Sequence, residues 1–271
     1  MPPAVVTLTT DFGTLDPYVA QMKGVLLRLA PGVSIHDLSH SIPPGDVAAG
    51  ALFLEAAVPR FPPGTVHLVV VDPGVGGARR PMALGIPEGT LVGPDNGIFS
   101  PFLDHPLAQP VVLDRPELWA THVSRTFHGR DLFAPVAARL ASGGALSSVG
   151  SPLTDPVRLP KPVIERLADG VRGEVVHVDH FGNLVTSVRA GDLPHLAEGS
   201  IEVEVGVRTV GGLRDSYDAV PAGALLALIG STDRVEISVN RGRADQVLEA
   251  RVGTTVRVRF YRSLGDRNEL R

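Results

Sequence analysis

The run VHLVVV, residues 66–71, constrains this chain more than any other feature. It is apolar apart from His67 and rich in β-branched residues, and it has the length of a strand buried on both faces, as strands of a parallel sheet are. Asp72 stands at its carboxyl end, followed by PGVGGARR. Open α/β sheets bind their ligands at that edge. The flanking sequence continues the pattern. AVVTLTT, residues 4–10, predicts a first strand ending in Asp11, Phe12 and Gly13. A helix is expected over about 17–29, with Asp16 as N-cap and Pro17 in the first helical position. SIHDL predicts a strand, 44–58 a helix, 81–86 and 90–92 short strands, and DLFAPVAARLA a helix with Asp131 as its N-cap. Strands alternating with helices predict an N-terminal doubly wound α/β domain.

The texture changes after the proline-punctuated segment 150–170, which reads as a linker. GEVVHVD, NLVTSV, SIEVEV, ALLALIG, RVEISVN and TTVRVRFY are short strand-like runs between turn signals, with almost no helical periodicity. They predict a small antiparallel β-barrel-like C-terminal domain. The expected division is an α/β domain over 1–160 and a β domain over 171–271.

Composition narrows the function classes. A net charge of −4 across 271 residues supplies no electrostatic footprint for a polyanion, so no nucleic-acid partner is expected. The absence of cysteine excludes disulfides, thiolate nucleophiles, iron–sulfur clusters and cysteine-type zinc sites. The start MPPAVVTLTTDFG has no basic, apolar leader, and no segment approaches the ~20 apolar residues of a membrane span. The expectation is a cytoplasmic protein with no membrane partner. His36, Asp37 and His40, and likewise His177 and His180, lack a ligand spacing on one defined element, so no metal is expected.

The glycine loop DPGVGGARRP lacks the Gly-Lys-Ser/Thr ending of a phosphate loop and the spacing of a dinucleotide fingerprint, and Pro81 opposes a helix start there. A tight turn explains Gly74, Gly76 and Gly77, but it leaves Asp72 and Arg79 unexplained. His128 lies in the loop ahead of the last helix, beside Gly129. Asp179 and Asn183 flank Phe181 and Gly182 as ordinary turn residues would.

Seven motifs together carry a resemblance. TLTTDFGTLDPYVAQMKG, SHSIPPGDVAAGA, VDPGVGGARR, GPDNGIFSP, TFHGRDLFAPVAA, HFGNLVTSV and IGSTDRVEISVNRG resemble, in order and spacing, the S-adenosylmethionine hydroxide adenosyltransferases, relatives of the fluorinases and chlorinases. The likeness spans about residues 5–260. It implies hydrolysis of S-adenosyl-L-methionine to adenosine and methionine by water attack at C5′, with no cofactor. It also implies a homotrimer whose sites lie between one subunit's N-terminal domain and a neighbour's C-terminal domain. The residues holding the nucleophilic water would be Asp72, Arg79 and His128, with Arg80 as the alternative arginine; carboxylate and imidazole would both accept from the water. The halogenating branch has an uncharged residue where this chain has Asp72, so a 5′-halogenase is disfavoured. Asp11 matches the carboxylate that takes both ribose hydroxyls. Asp179 and Asn183 match residues near the methionine amine and carboxylate, and Ser231 a serine at that carboxylate. Thr232 replaces a fluorinase arginine, and Gly45 stands where a fluorinase tryptophan covers the ligand. Tyr217 either supplies aromatic packing or is a core-edge ring. A module that binds or senses adenosylmethionine without turnover predicts the same residues.

Overall fold

A computed structural model describes residues 4–194 and 201–261. Packing divides the chain into two units, 1–159 and 160–271.

The first unit contains, in chain order, β1 (Val5–Thr10), α1 (Tyr18–Leu29), β2 (Ser34–Ser39), α2 (Val47–Ala57), β3 (Thr65–Val70), β4 (Pro81–Ile86), β5 (Gly89–Pro94), β6 (Gln109–Val112), α3 (Ala134–Ala141) and β7 (Ser151–Pro152). These strands form one sheet in the order β2-β1-β3-β5-β4-β6-β7. The pairs β2/β1, β1/β3 and β3/β5 are parallel. Alternation along β3 explains the winding: Val66, Leu68 and Val70 join the core beneath α1 and α3, whereas Val69 and Val71 join the core beneath α2. Both faces are therefore covered, as the apolar run requires.

The other half of the sheet is antiparallel, from β5/β4 through β4/β6 to β6/β7. Only Pro87 and Glu88 separate β4 from β5, too few residues for a parallel crossover. Two expected caps are corrected. Pro17 occupies the N-cap of α1 and makes no side-chain cap bond, so Asp16 lies outside the helix. Asp131 lies within a π-turn, Gly129–Phe133, that leads into α3 and starts two residues earlier than expected. Its carboxylate accepts from Ser124 N (2.9 Å) and from Arg130, tying the preceding loop to the helix.

The second unit contains β8 (Glu165–Leu167), β9 (Gly170–Val178), β10 (Leu184–Arg189), β11 (Ile201–Val205), β12 (Arg208–Gly211), β13 (Leu213–Arg214), β14 (Leu225–Ile229), β15 (Arg234–Val239), the single-turn α4 (Ala244–Val247) and β16 (Thr255–Phe260). Ser200, the first residue of one expected strand, lies outside the described residues. The sheet runs β12-β11-β16-β9-β10-β15-β14-β13, with β8 on β9. It is antiparallel except at β13/β14. Contacts between β12 and β14 curl it toward a barrel around its own core. β8, β12 and β13 are short, lack a strong alternation and were not expected. No described helix is long and apolar enough to cross a membrane.

His67 is fully buried on β3, with Nδ1 2.8 Å from Thr7 Oγ1, Nε2 meeting no partner among the described residues, and the ring edge-on to Phe61. Burial pushes its pKa from 6.5 down to about 4. The unfolded chain therefore takes up a proton that the folded chain refuses. Stability is expected to fall as pH drops from 6.5 to about 4, by up to about 3 kcal/mol from this group. Denaturant unfolding over that range should show a shallower decline in His67→Gln, which does not titrate; an unchanged decline would assign the effect elsewhere.

Candidate functional site

Asp11 directly follows β1, Asp72 comes two residues after β3, and Asn96 two residues after β5. The parallel registers Thr10 with Val70 and Leu68 with Val92 set all three at the carboxyl edge of the sheet. Asn96 anchors that edge by donating from Nδ2 to Val71 O (2.9 Å).

The glycine loop turns back so that Arg79 meets Asp72. Arg79 Nε donates to both carboxylate oxygens, at 2.9 and 3.0 Å, and Nη2 donates to Oδ2. Both side chains are nearly sealed, with Asp72 3% and Arg79 9% exposed. Nη2 also lies 2.7 Å from His128 Nδ1, and the guanidinium carbon sits 5.2 Å from the Phe133 ring centroid. Two glycines permit this. A Cβ on Gly74 would press on Arg79 Cγ at 3.2 Å. Gly76 has φ +72°, and a Cβ there would fall 2.1 Å from the carbonyl oxygen of Arg125. That close approach brings the 125–128 segment, and with it His128, against the loop.

Arginine protons can only be donated, so His128 Nδ1 must accept from Arg79, and the neutral ring carries its hydrogen on Nε2. Its pKa is lowered, first by burial and then by the Arg79 charge, against opposing pulls from Asp72 and Asp131. The imidazole therefore presents a donor rather than the acceptor expected from the sequence. Arg80 points elsewhere. It grips buried Asp95 (Nε to Oδ2, 2.8 Å) and exposed Asp155 (Nη1 to Oδ1, 2.7 Å), and Asp95 Oδ1 accepts from Val157 N (2.7 Å). Arg79, not Arg80, is the arginine beside Asp72.

Asp11 Oδ2 accepts from Gly45 N at 2.8 Å, which leaves Oδ1 available. Gly45 has φ +73°, and a Cβ there would touch Pro73 at 3.6 Å, so the Asp11, Gly45 and Asp72 loops are neighbours. Phe12, Tyr18 and Phe127 form an edge-to-face trio with centroids 5.3–5.9 Å apart, between the loops carrying Asp11 and His128. Sequence reading missed it, because the three positions share no periodicity.

In the second unit, the β9–β10 turn holds Asp179 and Asn183. Asn183 donates to both Asp179 oxygens, from N (2.8 Å) and Nδ2 (2.9 Å). Gly182, with φ +85°, leaves room for Asp245, and Phe181 is 70% exposed at the tip. Ser231 lies in the exposed turn between β14 and β15. Tyr217 keeps its ring half-exposed and donates to Glu236 Oε1 at 2.8 Å; burial first, and then Glu236, push its pKa up to about 12. Glu236, 8% exposed and also receiving Ser238 Oγ at 2.9 Å, was not anticipated, because a lone glutamate in a strand carries no motif. Among the described residues no group of three or more histidine and acidic side chains is placed to hold a metal.

One sheet edge thus gathers a nearly sealed carboxylate–guanidinium–imidazole cluster, with a second carboxylate, Asp11, on a neighbouring loop. Comparison with known proteins makes this specific. A family model described as the SAM hydroxide adenosyltransferase N-terminal domain matches residues 6–150, and one described as its C-terminal domain matches residues 173–257. The chain belongs to the SAM hydroxide adenosyltransferase family. A relative from Salinispora tropica, named (R)-S-adenosyl-L-methionine hydrolase, is 46% identical over 265 residues, covering 93% of this chain and 97% of its own. A Thermus thermophilus relative of the same name is 40% identical, covering 93% and 98%. An Actinoplanes protein named fluorinase is 31% identical over 217 residues, covering 70% and 73%. A solved Thermotoga maritima structure, described as an uncharacterized conserved protein, matches with a TM-score of 0.88 at 33% identity, covering 94% of this chain and 99% of that one.

The two adjacent arginines should separate by readout. Arg80→Ala is expected to lower stability by about 1–2 kcal/mol by depriving Asp95 of its cation, and to leave the cluster intact. Arg79→Ala is expected to abolish the cluster's function. Denaturant unfolding measured alongside turnover of adenosylmethionine checks both, and the reverse pattern would exchange the roles.

Proposed function

We propose that this protein hydrolyses S-adenosyl-L-methionine to adenosine and methionine, with Asp72, Arg79 and His128 holding the attacking water. The observation that carries the reading is the bidentate Asp72–Arg79 pair that also engages His128, in a chain of this family. Water oxygen forms a bond to C5′ as the C5′–S bond breaks. Methionine leaves as a neutral thioether and needs no general acid, and one water proton is released. Asp72 takes that proton and passes it to solvent. Arg79 Nη1, which has no hydrogen-bond partner among the described residues, and His128 Nε2–H donate to the developing hydroxide. In-line placement contributes several kcal/mol in such reactions. The Asp72 carboxylate accepts from water but repels a halide, which opposes 5′-halogenation.

Asp11 would take the ribose hydroxyls; Asp179, Asn183 and Ser231 would take the amino-acid end, with Tyr217 beside them. The homotrimer would join the two sets of residues across a subunit boundary, and sedimentation at three times the chain mass would support it. The names of the relatives from Salinispora and Thermus specify the (R) sulfonium epimer, and we extend that preference to this chain.

Incubation with separated epimers in ¹⁸O-water with chloride present, followed by mass spectrometry, tests the reading. Labelled adenosine formed preferentially from the (R) epimer is expected. A 5′-chloro nucleoside would favour halogenation, and intact ligand that stays bound would favour a sensing module. Asp72→Ala should lose about 10²–10⁴-fold in kcat while keeping ligand affinity. His128→Gln, which restores a donor near Nε2, should stay within about ten-fold of the parent, whereas His128→Ala should lose about 10²-fold or more. Equal losses in the two His128 variants would make the imidazole the base.

A further inference from the structure

His40 lies in the SHSIPPGDV stretch, and the proposed mechanism gives it no role. It is 7% exposed, and its Nδ1 is 2.9 Å from Oγ1 of Thr10, the last residue of β1. Thr10 Oγ1 in turn lies 3.2 Å from the backbone N of Phe12, which donates to it. On the far side, His40 Nε2 stands 3.0 Å from Asp37 Oδ1, and Lys23 Nζ holds the other Asp37 oxygen at 2.5 Å. His40 O accepts from Gly13 N at 2.8 Å.

Chemistry orients this chain in one direction. With its hydrogen on Nε2, 3.0 Å from Asp37 Oδ1, the His40 imidazole avoids setting a lone pair against an anion, as the other tautomer would. Nδ1 then accepts from the Thr10 hydroxyl, and the Thr10 oxygen accepts from Phe12 N. The donors Phe12 N and Thr10 Oγ1 point toward the His40 ring, whose Nε2 lies 3.0 Å from Asp37 Oδ1 without completing a hydrogen bond among the described residues; Lys23 pairs with that carboxylate. The link ends on the peptide that joins Asp11 to Phe12, and the His40 carbonyl secures the next residue. Both flanks of Asp11 are thereby held by one histidine, while among the described residues the Asp11 side chain itself makes only the bond from Gly45 N.

We propose that His40 is a positioning residue for ribose recognition: through Thr10 and Gly13 it fixes the backbone that aims the free oxygen of Asp11 at the ribose hydroxyls. This rests on the reading of Asp11 as the ribose acceptor. His40 touches no substrate atom, so its effect should fall on binding of the diol and spare the chemical step.

The test uses the full chain and calorimetric binding of adenosine and 2′,3′-dideoxyadenosine, alongside steady-state turnover of adenosylmethionine. His40→Ala should weaken adenosine and raise KM by about ten-fold or more, with kcat within about two-fold and dideoxyadenosine affinity unchanged. His40→Asn, whose amide oxygen can replace Nδ1, should restore most of the loss, which also guards against misfolding of the alanine variant. Equal weakening of both nucleosides, a kcat loss matching the KM rise, or unaltered adenosine affinity would overturn the proposal. A parent that binds the two nucleosides equally would overturn it together with the Asp11 role. A parent that prefers adenosine yet turns over no adenosylmethionine would sink the hydrolase reading and leave His40 in place.

Discussion

The site depends on one shared guanidinium. Arg79 satisfies both oxygens of a nearly sealed carboxylate and also fills the lone pair of His128 Nδ1. Removing any member would leave a desolvated polar group without a partner, which is far more expensive than never burying it. The three side chains come from just past a strand end, from a glycine loop and from the residue leading into a π-turn, so their mutual satisfaction locks three backbone segments together. Gly74 and Gly76 follow from that requirement, since a Cβ at either would push against the arginine stem or the Arg125 carbonyl.

The pairing also determines the electrical character of the site. Asp72 and Arg79 are paired charge to charge, each nearly sealed from solvent. On the proposed reading the cluster offers Asp72 as acceptor for a water proton, and Arg79 and His128 as donors to the oxygen that remains. Because Arg79 occupies Nδ1, the imidazole faces outward with a hydrogen, and its lowered pKa keeps it neutral. In the second unit two carboxylates are held by neutral donors instead: Asp179 by Asn183, and Glu236 by Tyr217 and Ser238.

Where sequence reading succeeded and failed has a consistent cause. The doubly wound core was legible because Val66 to Val71 is apolar on both faces, and only two covered faces satisfy such a strand. The antiparallel half of the sheet was hidden in the two residues between β4 and β5, a matter of turn length rather than periodicity. Asp16 and Asp131 were read as caps because aspartate before a helical pattern usually is one. In the fold Pro17 caps the first helix, and a π-turn extends the last one past Asp131. The aromatic trio around Phe12 and the carboxylate of Glu236 left no trace in spacing, because they converge only through tertiary contacts.

The sequence alone determined the fold class, an α/β part followed by a β part, the carboxyl-edge placement of Asp11 and Asp72, and the family. These follow from local apolar patterning and from motifs whose order survives without knowledge of contacts. Tertiary structure decided which of two adjacent arginines turns inward, which nitrogen of His128 carries its hydrogen, and that His40 reaches back to Thr10. Each depends on distances between segments far apart in the chain, and a linear pattern does not encode them: Arg79 and Arg80 are chemically identical until Asp72 lies beside one and Asp95 beside the other.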